Sequence, residues 1–278
     1  MNLKRIAFLS MAAASLLFVA CDKIDDNERL VAYDNAGSSN DSSAIQSRHM
    51  VLVEDYTGQE CPNCPGFARK IQDFAHANNR VVMVALHNDL FKHQGSDFAT
   101  DEANEYLRLF GINALPAGVV DRQFENGKIA TYSTPSKVLK AIKSELEKPQ
   151  ELDLFAKAYL SDSTHVNIQV VVNSLAGKNF ESKNTKLLIW LTEDNVIGYQ
   201  VDRTDKKDDF VHNHLFRGAL NGVWGENYEI GKVYTLNAQL PASVLNTAKE
   251  NLANLKIVAF VYNETNKSII ETIKFGIN

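Results

Sequence analysis

The segment Cys61-Pro62-Asn63-Cys64, set between an apolar run and a helical pattern, constrains this chain more than any other feature. Met50 to Tyr56 reads as a strand, and Phe67, Ile71, Phe74 and Ala75 recur at helical spacing within Phe67 to Ala77. Two residues between the cysteines put both sulfurs at the first turn of that helix, where unpaired backbone N–H groups and the helix dipole stabilise a thiolate. Zinc sites use the same spacing, so the pair alone does not fix the chemistry. Two further features narrow it. Asp55 lies six residues before Cys61, and Phe110-Gly111-Ile112-Asn113-Ala114-Leu115-Pro116 follows about fifty residues later.

This arrangement resembles the thioredoxin fold, in which a buried acid sits under the active site and a cis-proline loop faces the cysteines. The expected chemistry is thiol–disulfide exchange. Cys61, nearer the helix start and more exposed, attacks, and Cys64, one turn deeper, resolves the mixed disulfide. The resemblance implies that Asp55 is the buried proton acceptor for Cys64; the alternative is a strand-end carboxylate in solvent. Glu54 points to the opposite face of the strand and is the weaker candidate. Pro116 is expected in cis, holding substrate backbone against the sulfurs, with an ordinary trans-proline as the alternative. Pro62 suits the first helical position. Pro65 departs from the pattern: if Cys61 caps the helix, Pro65 removes a hydrogen bond and distorts the first turn.

The N-terminus reads as a targeting segment. Lys4 and Arg5 precede the apolar stretch Ile6 to Ala20, which is too short for a comfortable membrane span. It ends Leu16-Leu17-Phe18-Val19-Ala20-Cys21, similar to a lipobox, with Cys21 as the acylated residue; Phe18 stands where leucine is usual. The alternative is an ordinary secretory signal with a coincidental cysteine. Of the three cysteines, one is then the anchor and two form the pair, which an exported compartment allows to rest oxidised. Loss of residues 1–20 takes the basic count from 29 to 27 against 34 acidic, a net −7 without any basic cluster, which argues against nucleic acid.

Residues 21–48 are polar and rich in Ser, Asn and Asp, a tether between membrane and fold. Asp22, Asp25 and Asp26 are read as solvated linker or as a sorting signal. From 49 to 149 the order is strand, C-x-x-C, helix, strand (Val81 to Leu86), helix (Asp101 to Phe110), proline loop, strand (Ala117 to Val120), hairpin (Glu125 to Lys128) and a last helix capped by Ser133 or Thr134 with Pro135 in its first turn. From 150 to 278 strands dominate: Leu154 to Leu160, His165 to Val172, Lys186 to Leu191, Val233 to Leu240, Leu255 to Tyr262 and Ser268 to Phe275, with one short helix over Pro241 to Asn251. The expected fold is an α/β thioredoxin-like N-terminal domain followed by an all-β, Ig-like antiparallel sandwich.

The histidines need separate weighing. His212 and His214, two residues apart, can join Cys61 and Cys64 as four zinc ligands, but a disulfide would forbid this, and a structural or inter-domain role is favoured; the H-N-H string is coincidental. No metal and no cofactor is expected. His87 and His93 follow the second strand; one of them can tune the thiolate, and the default is a polar loop. Trp190, Trp224, Phe91, Phe98, Tyr106 and Phe110 read as packing.

The whole chain resembles the 28 kDa outer membrane protein family of Bacteroidota. The carrying residues are Val51 to Gly58 with Cys61 to Pro65, then His212 to Arg217 with Gly222 to Glu226. The resemblance implies a lipoprotein at the outer membrane, facing either the periplasm or the cell surface. Two functions follow as expectations: an anchored oxidoreductase acting on exported proteins or small disulfides, or a binding and adhesion module whose sandwich takes a surface ligand while the disulfide only braces a loop.

Overall fold

The computed structural model describes residues 48–95, 97–175 and 177–278; the acylation site expected at Cys21 and the tether lie outside them. The fold is mostly β-sheet with few helices. The first half runs β1 (Val51–Thr57), α1 (Cys64–His76), β2 (Val81–His87), α2 (Asp101–Leu109), β3 (Ala117–Val120), β4 (Phe124–Glu125), β5 (Lys128–Ile129) and α3 (Pro135–Leu146). The second runs β6 (Leu152–Leu160), β7 (His165–Ser174), β8 (Thr185–Glu193), β9 (Val196–Asp202), β10 (Asp205–His212), β11 (Leu215–Ala219), β12 (Val233–Gln239), α4 (Leu245–Glu250), β13 (Leu255–Asn263) and β14 (Ile269–Gly276).

Local chemistry explains many of these boundaries. Thr100 accepts a hydrogen bond from the Ala103 N–H at the start of α2, whose first turn carries Asp101 and Glu102. Pro135 opens α3 behind Thr134, and Val138, Ala141 and Ile142 form its buried stripe. Asn126 and Gly127 both take positive φ, 52° and 81°, as the two-residue turn between β4 and β5 demands.

A single seven-stranded sheet in the order β14-β13-β8-β11-β2-β1-β3 runs through both halves. β1 and β2 are parallel in the register Val51↔Val81, and β3 is antiparallel to β1. β11, a strand the sequence reading missed, joins the halves: it pairs parallel with β2 at Leu215↔Ala85 and antiparallel with β8. One face of the sheet carries a common core. There Tyr56, Leu86, Tyr106 and Phe110 pack with Trp190, Phe216, Phe260 and Tyr262. The other face is shared between two covers. α1 and α3 lie over Val51, Val53 and Met83, while β12-β7-β6 lies over Leu187, Ile189, Ile257 and Ala259.

Near the common core sits Arg122, fully buried, its guanidinium 5.0–5.8 Å from the rings of Phe110, Tyr106, Phe260, Trp190 and Tyr262. Its Nε donates to Glu54 at 2.5 Å, and Glu54 also accepts from the Tyr56 hydroxyl at 2.7 Å. Glu54 does face away from Asp55, but into this cage rather than toward solvent. The pair joins β1 to rings supplied by both halves of the chain.

Candidate functional site

α1 begins at Cys64, with Asn63 as its cap residue, so the helix starts two residues later than the sequence suggested. The Phe67 N–H donates to the Asn63 carbonyl as an early helical bond. Pro62 therefore lies outside the helix, and Pro65 falls in the first turn, where a missing N–H has no helical acceptor to lose. The expected distortion at Pro65 does not arise, because Cys61 is not the cap. Cys61 and Cys64 are joined by a disulfide with a Cα–Cα distance of 5.5 Å. That bond leaves no thiolate for the four-ligand zinc arrangement.

The expectation that Cys61 faces solvent is overturned. Cys61 and Cys64 are each only 1% exposed. The cover is the β9–β10 hairpin, whose antiparallel strands meet at a turn where Arg203 takes φ +62°. The Val201 N–H donates to the Gln59 carbonyl and the Arg203 N–H to the Pro62 carbonyl, both at 2.8 Å. The Gln200 side chain donates to the Gly58 and Cys61 carbonyls at 3.3 and 3.4 Å, and Gln59 donates to the Tyr199 carbonyl at 3.1 Å. Arg69 on α1 closes the hairpin with a bidentate pair to Asp202 at 3.0 and 3.1 Å, and Lys207 adds a contact at 3.1 Å. At Gly198 a Cβ would come within 2.6 Å of the Phe98 ring, so only glycine lets β9 lie this close. His93 stacks on Tyr199 with ring centroids 3.9 Å apart and pairs with Glu60 at 2.7 Å, a bracing contact at the hairpin's side.

Asp55 points inward. It is 2% exposed, and its Oδ1 has no protein partner. Burial raises its carboxyl from 3.8 to about 7. With Cys64 it lines a pocket of about 60 Å³ between α1, the ends of β1 and β2, and the end of β10. His87 and His212 line the same pocket, their rings 5.3 Å apart and both packed on Phe98. His87 is therefore a buried ring at the end of β2 rather than part of a polar loop. Burial, then the neighbouring His212 and Arg217, holds it well below the usual imidazole range. Burial also lowers His212 to about 4, with Arg217 assisting and the Tyr199 and Gly198 carbonyls opposing.

The Leu115–Pro116 peptide is cis. It directly precedes β3, whose first residue pairs with Tyr56, so it lies at the same end of β1 as the cysteines. At the other end of β1, ligand atoms of His49, Asp121 and Glu145 lie within 4.8 Å of one another, a set able to hold a metal. Each already has a counter-group: His49 pairs with Asp121 at 3.2 Å and Glu271 at 3.3 Å, and Lys148 pairs with Glu145 at 2.7 Å. Burial disfavours the His49 cation, but the two carboxylates prevail and raise it from 6.5 to about 10.

Sequence reasoning placed the cysteines, the acid and the proline, and missed Gln200, Asp202 and the pocket-facing side of His212. The Asp205–His212 stretch is charge-rich with one exposed face, which masks its strand alternation.

Among known proteins, the family model described as outer membrane protein Omp28 matches residues 103–278. The chain belongs to the Omp28 family. The match begins beyond the disulfide and includes the hairpin that covers it. This places the Omp28-family chain at the outer membrane, in agreement with the sequence-based expectation; no helix among the described residues is long and apolar enough to cross a membrane. Its fold is similar to HBP35 of Porphyromonas gingivalis, with a TM-score of 0.59 at 16% identity over 83% of this chain and 76% of that one. A domain of the outer membrane lipoprotein Omp28 from Porphyromonas gingivalis aligns at 25% identity over 46% of this chain and 89% of its own, with a TM-score of 0.35. Malassezia sympodialis thioredoxin aligns at 22% identity over 42% and 92%, with a TM-score of 0.25. No curated protein matches the sequence.

Proposed function

We propose that this outer membrane protein, lipid-anchored at Cys21, joins a thioredoxin-like half to an antiparallel sandwich half. On this reading it performs thiol–disulfide exchange at Cys61–Cys64 on exported proteins or small disulfides, with the β9–β10 hairpin as a cover that must lift first. Asp55 carries the reading. A carboxyl buried without a partner costs stability, and a disulfide that only braces a loop has no use for one. Lining the same pocket as Cys64, at a pKa of about 7, the carboxyl is suited to holding the proton that a resolving thiol gains and loses. Pro116 supports the reading by its position at the same end of β1.

In the step itself, a thiolate of an external dithiol attacks the Cys61 sulfur. The Cys61–Cys64 bond breaks, and Cys64 leaves as a thiolate that takes the Asp55 proton. The second external thiol then displaces Cys61. Two electrons pass from the dithiol to the protein disulfide. In the reverse sequence the reduced Cys61/Cys64 pair passes two electrons to an external disulfide, which is released as the dithiol while the Cys61–Cys64 bond re-forms.

The second reading, a surface-binding or adhesion protein with a bracing disulfide, draws on the burial of both sulfurs. Envelopes carrying Cys64→Ser decide between them. Exchange predicts mixed disulfides through Cys61 that are absent from the double Cys→Ser protein, together with a reduction potential measurable against glutathione. A brace predicts no trapped partner and unchanged ligand binding in the double variant.

A further inference from the structure

His212 comes from the second half of the chain, yet it reaches the pocket that Asp55 and Cys64 line. It is 6% exposed and Asp55 is 2% exposed. Both line this pocket, and each has a buried atom without a protein hydrogen-bond partner: Oδ1 of Asp55 and Nε2 of His212. With the Gly198 and Tyr199 carbonyls taking the other ring nitrogen of His212, Nδ1 carries its hydrogen and Nε2 is an acceptor. A protonated Asp55 is a donor, so the two atoms are complementary ends. A pocket of about 60 Å³ has room for one or two waters between them.

We propose that Asp55 Oδ1 and His212 Nε2 are the ends of a short water link in this pocket, and that the link carries the proton Cys64 gains or releases during exchange. The second part rests on the exchange reading above. His212 is then a positioning residue: it holds the water that restores the Asp55 proton once Cys64 has taken it. No group is left with an unbalanced charge, since the proton that leaves Asp55 is replaced from solvent along the link.

The charged and titratable groups around the link come from every element packed on it. They are His87 at the end of β2, Arg69 on α1 with its partner Asp202 on β9, His214 with its partner Asp194 at 2.9 Å, and Arg217 on β11, which pairs with Glu193 at 2.6 Å. Arg69, His214 and Arg217 are each tied to a carboxylate and burial disfavours the His87 cation, which leaves Asp55 and His212 as the ends of the link.

Nuclear magnetic resonance of the oxidised full chain, labelled with 15N-histidine and 13C-aspartate, tests the link without any turnover. The His212 Nε2 resonance should show a step between pH 6 and 8 that matches the Asp55 carboxyl carbon and vanishes in Asp55→Asn. A flat Nε2 response across that range, or the same step in Asp55→Asn, overturns the proposal. Its kinetic part is read from reduction by low concentrations of dithiothreitol. His212→Asn, which keeps a donor near Nδ1 and deletes Nε2, should slow reduction about tenfold near pH 7, and His212→Gln should recover most of that loss. The Asp55→Asn/His212→Asn double variant should be no slower than Asp55→Asn, and multiplicative losses overturn a shared path. A disulfide that resists reduction in the native wild type defeats the exchange reading, while the resonance step still decides the link.

Discussion

Replacing Asp55 by Asn should stabilise the protein, and by an amount that depends on pH in a defined way. The native carboxyl is held at about 7 against 3.8 for the free side chain. At about 1.4 kcal/mol per unit, ionising it inside the fold costs about 4 kcal/mol by pH 8. Because the folded value lies above the unfolded one, the native state keeps its proton longer than the unfolded chain. Wild type and Asp55→Asn should therefore be nearly equal in stability at and below pH 3.8. Wild type should lose ground as pH rises from 3.8 to 7, and the gap should level off above that. Urea unfolding followed by circular dichroism, with the disulfide kept oxidised and the two proteins compared from pH 4 to pH 8, reads the difference while the other titrations cancel. The gap should grow from under 1 to about 4 kcal/mol. A gap that stays constant with pH, or remains under 1 kcal/mol at pH 8, would show that the Asp55 charge is solvated or paired and would remove the main support for its proton-holding role.

Three further outcomes follow from the geometry. Arg122→Met should cost about 3–5 kcal/mol because it leaves Glu54 buried without its partner, and adding Glu54→Gln should recover much of the loss; denaturant unfolding of wild type and the two variants measures both. Asp202→Asn removes the acceptor shared by Arg69 and Lys207, and with the Arg69 side chain 47% exposed the contact is worth about 0.5–1 kcal/mol, so reduction by dilute dithiothreitol should quicken about two- to fivefold. His49, held at about 10 against 6.5 unfolded, stabilises the fold fully below pH 6.5 and loses that contribution as pH rises toward 10. The stability advantage of wild type over His49→Gln in thermal melts should shrink across that window.

What the sequence disclosed depends on how local the determining chemistry is. The strand before Cys61, the start of α3 at Pro135, the Asn126-Gly127 turn and the run Val81 to Leu86 are set by neighbours in the chain, and each lies where the local pattern puts it. The β6, β7, β8, β13 and β14 strands were visible for the same reason, each within a few residues at its ends. β9, β10 and β11 were not. All of the first five residues of Asp205–His212 are charged and the strand has few buried positions, so its pairing partner decides its form. β11 is only five residues long and becomes a strand because β2 and β8 flank it. The burial of Cys61 was hidden with them. A spacing of two between cysteines specifies the loop but not a hairpin that arrives about 140 residues later and bonds to Gln59 and Pro62.

The most direct test is the rate at which the native, oxidised full chain is reduced as dithiothreitol concentration is raised, beside the same protein in urea. A covered but reactive pair predicts reduction that proceeds without denaturant, more slowly than in urea, and that reaches a plateau set by the lifting of the hairpin. A native disulfide left intact at every concentration would contradict exchange, and one reduced as fast as in urea with no plateau would contradict the cover.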